Sequence, residues 1–415
     1  MSGSIGECEF VIEDGLAQID MLDSAIHAWT FIDHEGARAR ARQLDESTDR
    51  GLLYGMSVAV KDIIDVAGMP TEHGTPIYAG NIATSDAACV ALAKTAGAVI
   101  IGKTATTELA SNHPAKTRNP QNPEHTPGGS SSGSAAAVAS GMVRIAFGTQ
   151  TAGSIIRPAA FCGVVGFKPT FGLVPRIGVK LQSETLDTVG VFTRTVDDAA
   201  LWYAAMMGAR EAKLPNIGKG ALRILLVSNL MNRAEVDMSV AVAEAAEALS
   251  TAGLRLKEVR LPDIFDTAQQ DQRVIQLSEM ARLYASEHRH FRSQLSNELV
   301  AILDEGAAIS PDKYQLALAR TEAAKKQAAQ LFADCDAMLM PSAPGAAPKG
   351  LSSTGDAIFN RLASGLQLPA VNIPVYRSKK RMPLGLQLVG SRLQDEKLLA
   401  IAKRVIDVLR SNTHD

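Results

Sequence analysis

Short apolar runs alternate along the chain with longer stretches in which alanine, leucine and charged residues recur at helical spacing. Met56–Val60 has too little polar alternation for an exposed edge and predicts a buried strand. Asp86–Ala96 predicts a helix stopped by Gly97, with Ala98–Ile101 as the next strand. Leu222–Val227, Glu235–Thr251 and Leu254–Val259 repeat the strand–helix–strand order. Ala135–Met142 is rich in small residues and free of proline, which predicts a helix ending near Gly141, and Val143–Phe147 a short buried strand. Glu13–Arg42 reads as one helix, and Asp263–Asp304 and Pro311–Cys335 as long helical stretches, the last opened by a Ser310–Pro311 cap signal. Leu186–Val191 reads as a turn before a helix over Arg194–Met207. Ala337–Met340 and Pro383–Val389 read as strands and Gln394–Leu409 as the final helix. Asn119–His125 and Lys349–Asn360 are loops, the second expected to lie over a site. The alternation as a whole predicts an α/β fold with a mostly parallel or mixed sheet.

Composition adds bounds rather than detail. A chain of 415 residues can form one large α/β domain or two smaller ones, and 46% hydrophobic residues suffice for a core. The net charge of −2 argues against a nucleic-acid partner, and the basic segment Arg377–Arg381 reads as a solvated loop. Cys8, Cys89, Cys162 and Cys335 show no CxxC and no metal-ligand spacing, so they read as free thiols in a reducing compartment. Met1–Asp14 is acidic without an apolar signal core, and no run is long enough to span a bilayer. These features predict a cytoplasmic protein without a membrane partner.

Candidate chemistry concentrates between Pro127 and Thr170, which read PGGSSSGSAAAVASGMVRIAFGTQTAGSIIRPAAFCGVVGFKPT. Two Gly/Ser-rich turns, around Ser130–Ser132 and around Ser154, flank the predicted helix and strand. That order brings both serine clusters to the same end of a sheet. In Thr151-Ala152-Gly153-Ser154 successive backbone N–H groups can form a nest for an anion or an oxyanion, with Ser154 at its end. A serine hydroxyl needs a base to become a nucleophile. His125 is the nearest histidine, but its proline-rich loop marks it as a wall or surface residue. Lys61 closes the first buried strand. A lysine there ordinarily extends to water, whereas a buried one loses its charge and can act as a base. Cys162 lies in an apolar setting that favours plain packing. Gly129-Ser130-Ser131-Ser132-Gly133 also fits a nucleophile elbow, but an elbow needs a strand directly before it, and Asn119–Pro127 with its three prolines is a poor strand.

These segments resemble the amidase-signature family of serine amidohydrolases. The resemblance rests on Gly128–Gly133, Gly148–Ser154 and Phe167-Lys168-Pro169-Thr170. It extends to Ser57–Asp62 upstream and Pro383–Gly390 downstream, and so covers nearly the whole chain. It implies a single α/β/α domain over residues 1–415 with a core motif at 55–200, built on a large mixed, mostly parallel sheet covered by helices. It further implies a triad of Lys61 as base, Ser130 as proton shuttle and Ser154 as nucleophile. The N–H groups of Thr151, Ala152, Gly153 and Ser154 would form the oxyanion hole, and the Gly129–Ser130 peptide would be cis. No metal or organic cofactor is implied, and a homodimer is suggested.

Three positions depart from the common family pattern. Gln150 stands for an aspartate, Ala152 for a glycine, and the arginine falls one place later, at Arg157. These match the malonamidase-like branch best. Arg157, with Ser131 and Gln150, is then expected to contact substrate, Arg157 by pairing with a substrate carboxylate; alternatively Arg157 ties its loop to backbone carbonyls. The expected activity is hydrolysis of a small, carboxylate-bearing amide such as malonamate. The alternatives are an arylacetamide or indoleacetamide-type amidase, a glutaminase subunit of a transamidation complex, and a catalytically silent partner protein.

Overall fold

A computed structural model describes residues 6–218 and 222–412 of the chain, so the first five residues of the acidic N-terminus lie outside the described residues. The chain runs α1 (Glu7–Ile26), β1 (Trp29–Ile32), α2 (His34–Asp45), β2 (Ser57–Lys61), α3 (Ala88–Thr95), β3 (Val99–Thr104), α4 (Ser132–Ala139), β4 (Ile145–Gln150), α5 (Ile156–Cys162) and β5 (Val165–Lys168). It continues through β6 (Thr188–Thr193), α6 (Val196–Met206), β7 (Arg223–Val227), α7 (Val236–Thr251), β8 (Arg255–Val259), α8 (Asp263–Leu283), α9 (Ala285–His290), α10 (Asn297–Ala307) and α11 (Pro311–Leu331). It ends with β9 (Ala337–Pro341), α12 (Arg361–Gly365), β10 (Ala370–Arg377), β11 (Pro383–Val389) and α13 (Asp395–Asn412). The strands form one sheet of 11 in the order β1-β3-β2-β4-β6-β5-β10-β11-β9-β7-β8. The large mixed sheet is the expected one. Parallel pairing forms two blocks, β3-β2-β4 and β9-β7-β8. The ladders between and beside them are antiparallel.

Strand alternation sorts the side chains to two faces. Val58 and Val60 join the core under α3, α6, α7 and α13. Ala59 joins the core under α1, α2, α4 and α5. Farther along that second face, α8, α11 and α12 pack over β7, β9 and β11. Lys61 has the parity of Ala59, so the fold itself turns its side chain toward the layer that carries α4. Among the described residues no helix is long and apolar enough to cross a membrane.

Several elements differ from the sequence reading. Glu13–Arg42 is not one helix. His27 takes a left-handed conformation that ends α1, Asp33 accepts from Gly36 N to open α2, and β1 pairs with β3 between them. Leu186–Val191, read as a turn, belongs largely to β6, a strand held between β4 and β5. Asp263–Asp304 breaks after Leu283, and α10 restarts where Ser296 Oγ accepts from Leu299 N at 3.2 Å. The predicted helix in the central motif begins three residues earlier, at Ser132. The Ser310 cap is present as expected, with Oγ accepting from Lys313 N.

Candidate active site

Lys61 is the last residue of β2 and is fully withdrawn from water. Its Nζ lies 2.7 Å from Ser130 Oγ and 2.9 Å from Thr149 Oγ1. Burial pulls its pKa down to about 7, against the weaker upward pull of the Asp187 carboxylate. Among the described residues no carboxylate touches the amine directly; its neighbours are hydroxyls. The uncharged form is therefore well populated near neutral pH.

The first serine cluster is folded tightly onto the sheet. The Gly129–Ser130 peptide is cis, as the resemblance implies, and Gly128 before it has φ of 82°, in the region that favours glycine. Each hydroxyl has its own task. Ser131 Oγ donates to Thr149 O (3.3 Å), Ser132 Oγ to Gly128 O (2.7 Å) and Ser134 Oγ to Phe147 O (2.8 Å). The Ser131 and Ser134 bonds join the start of α4 to β4, and the Ser132 bond closes the turn before it. Gly148 allows the contact, because a Cβ there would stand 3.0 Å from Ser131 Oγ and 2.6 Å from the Phe192 ring. Ser131, expected to touch substrate, is instead buried in this seam.

The second cluster follows β4. Two carbonyls of its loop are held from outside, Thr151 O by Gln272 Nε2 (3.1 Å) and Ala152 O by Ser364 Oγ (2.6 Å), while Gly153 O accepts from Arg157 N (2.9 Å) as α5 begins. The N–H groups of Thr151, Ala152, Gly153 and Ser154 bond to no other described residue. A peptide loop with its acceptors tied back and its donors free is suited to a developing oxyanion. None of the four residues has positive φ, so alanine at 152 fits without a glycine's freedom. Thr151 Oγ1 donates to the buried Asp187 carboxylate, which also accepts from Gln182 N and Ser183 N. Burial raises that carboxyl, and these hydrogen bonds oppose the rise.

Gln150 is corrected from substrate contact to support. Its side chain is fully buried; Oε1 accepts from Ile155 N and Ile156 N at 2.9 and 3.0 Å, and Nε2 donates to Ser364 Oγ. It caps α5 from the preceding strand and closes the loop on itself. Arg157 lies in the first turn of α5. Nη1 donates to Gly355 O (2.9 Å), and Nη2 to Gly129 O (2.6 Å) and Thr354 Oγ1 (3.1 Å). It thus ties the serine turn to the 354–357 loop.

Ser154 is half-buried and opens on a cleft that Ala152, Gly153, Arg157, Arg273, Ala357 and Arg361 also line. Its hydroxyl bonds to no other described residue. Cys162 is buried with Sγ 3.4 Å from Pro127 O, and burial pushes its thiol up, so it packs as expected. His125 Nδ1 lies 2.7 Å from Ala347 O, in the loop wall. Sequence reasoning missed Thr149, Asp187, Gln272 and Arg361. The first sits inside the recognised motif, but the other three carry no local signal. Among the described residues no group of three or more His, Cys, Asp or Glu is placed to hold a metal ion.

A sheet of this order, carrying a buried lysine against a Gly/Ser turn and a second serine on a donor-rich loop, defines an amide-hydrolysing class. The chain belongs to the amidase family, whose profile matches residues 11–399. It is similar to glutamyl-tRNA(Gln) amidotransferase subunits: the protein of Synechococcus sp. (strain CC9311) is 32% identical, over 97% of this chain and 93% of that one. The corresponding protein of Salinibacter ruber is 37% identical over 61% of this chain and 54% of its own length. A crystal structure described as an amidase superimposes with a TM-score of 0.88 at 29% identity, over 98% of this chain and 96% of that one. The chain is a hydrolase acting on amide C–N bonds. The likeness found does not single out malonamidases, toward which the sequence departures pointed.

Proposed function

We propose that the chain hydrolyses a small carboxamide to carboxylate and ammonia through an acyl-enzyme on Ser154. The observation that carries the reading is the buried Lys61 amine 2.7 Å from Ser130 Oγ. Ser154 Oγ attacks the amide carbon while its proton passes to Ser130 Oγ, and the Ser130 proton passes to the neutral Lys61. The carbonyl oxygen, now negative, is met by the N–H groups of Thr151, Ala152, Gly153 and Ser154. As the C–N bond breaks, the Lys61 ammonium returns its proton through Ser130 to the nitrogen, and ammonia leaves. Water then attacks the ester by the same proton route and frees the acid. Ser154→Ala is expected to lower ammonia release by about 10⁴-fold or more. Undiminished release by a folded Ser154→Ala protein removes the reading.

Glutamine as the amide is the second reading, and the relatives favour it. Proteins alike over nearly their full length are named as amidotransferase subunits. This supports a role in supplying ammonia to a protein partner, beside the homodimer that the family resemblance suggests. Glutamine turnover by the purified chain, with its mass in solution, tests both points. An arylamide or indoleacetamide fits less well, because three arginines stand in the cleft wall.

A further inference from the structure

The cleft beside Ser154 is lined by Arg157, Arg273 and Arg361 and by no aspartate or glutamate among the described residues. The three guanidinium groups differ in what they already hold. Both terminal nitrogens of Arg157 are engaged by Gly355 O, Gly129 O and Thr354 Oγ1, and its buried Nε has no partner among the described residues. Arg273 stands at the rim, about half exposed, and is paired at 2.6 Å with Glu305. Arg361, half-buried at the start of α12, makes among the described residues one side-chain hydrogen bond, from Nη1 to the neutral Gln272 Oε1 (2.7 Å), and no ion pair. Burial and the nearby Arg273 charge both disfavour its charged state; Asp356 opposes them but is itself paired with Arg233. A cation so placed, with most of its donors unengaged, is completed by an anion. Gln272 also donates to Thr151 O, so a ligand held by Arg361 is one side chain away from the oxyanion loop. Asn360, the preceding residue, comes so close to Gly153 that a Cβ there would stand 2.5 Å from its Oδ1.

We propose that Arg361, with Arg273 behind it at the rim, binds a carboxylate of the amide substrate. The proposal rests on the hydrolytic reading of Ser154. The carboxylate can be the free acid of a half-amide or the α-carboxylate of glutamine, and Arg361 meets either by the same fork.

The test compares ammonia release from succinamate, glutamine and the neutral butyramide by the full chain. Wild type is expected to prefer one of the two carboxylates over butyramide by at least tenfold in kcat/KM. Arg361→Gln, which retains a polar group toward Gln272, is expected to remove nearly all of that preference, a loss of about tenfold or more on the charged amide, mainly through KM. Arg273→Ala is expected to cut it by a few fold. Succinamate turned over faster than glutamine identifies the half-amide as the source, and the reverse identifies the amino acid. Equal losses on charged and neutral amides in Arg361→Gln overturn the proposal, as does a wild type without preference. Binding supplies a second readout: succinate should raise the Tm of Ser154→Ala but not of Ser154→Ala/Arg361→Gln. Equal shifts in both, or none in either, also overturn the proposal. Butyramide turnover abolished by Ser154→Ala, without any carboxylate preference, would sink Arg361 alone and leave the hydrolytic reading standing. Turnover that survives Ser154→Ala would sink the reading itself.

Discussion

Lys61 ends β2 and Lys168 ends β5. Both side chains are wholly withdrawn from water, and burial brings both pKa values down to about 7. Each also feels one buried carboxylate at a distance, Asp187 for Lys61 and Asp395 for Lys168. The atoms in contact separate them. Lys61 Nζ sits between the hydroxyls of Ser130 and Thr149, whereas Lys168 Nζ donates to Pro169 O at 2.9 Å. A hydroxyl can give up a proton and take another; a carbonyl only accepts. Burial makes either lysine a base near neutrality, but only Lys61 touches hydroxyls that can pass a proton on. A strongly lowered lysine is thus a poor marker of a site until its contacts are known.

The largest effect should divide the pair. Lys61→Met is expected to lower kcat/KM by about 10³-fold, within the range of lost acid–base catalysis, and Lys168→Met by less than about tenfold. Equal losses in two folded variants would break the comparison. Next in size is the pH profile. In wild type kcat/KM should rise with pH as Lys61 loses its proton, with a midpoint near 7, and Lys168→Met should keep that midpoint. A rate independent of pH between 5 and 9 would show that another group is the base.

The smallest effect is on stability, and there the two lysines should behave alike. In the unfolded chain a lysine keeps its proton up to about pH 10.4, whereas in the folded protein these two release it near 7. Between those values the unfolded state binds more protons. The unfolding free energy therefore rises with pH there, by up to roughly 1.4 kcal/mol per pH unit for each lysine. The full penalty stands below about pH 7 and is gone above about 10. Measured as a difference from wild type, each Lys→Met variant should remove its own share of the slope in denaturant titrations. A slope unchanged by either substitution would mean that the lysine is not buried.

Local chemistry made part of this legible. Pro383–Val389 was readable with its observed bounds because a short run, apolar but for Gln387 and led by a proline, leaves little choice. The two Gly/Ser turns were readable because glycine and serine have few other uses in such density. β10 was not readable: Pro374 argues against a strand, yet β5 pairs only with Ala370 and Val371, and a register irregularity lies between Pro374 and Tyr376. β6 and α5 were lost in a stretch buried on every side, where periodicity carries no contrast. At the site, Ser131 and Gln150 stood in the right motif but proved to face inward. Arg361 lies more than two hundred residues beyond Ser154, with nothing local to mark it.

By itself the sequence determined the class of fold, the family, and the few residues whose chemistry is written in short motifs: an apolar strand ending in lysine and two serine-bearing turns. Those are properties of neighbours along the chain, where backbone freedom and hydrophobic period act within a few residues. Only the tertiary structure decided which hydroxyls meet the amine, which carbonyls are tied back so that four N–H groups stay free, and how many donors each of three arginines has left to offer. Such outcomes depend on how distant segments share hydrogen bonds in a space closed to water, and chain order alone does not contain that allocation.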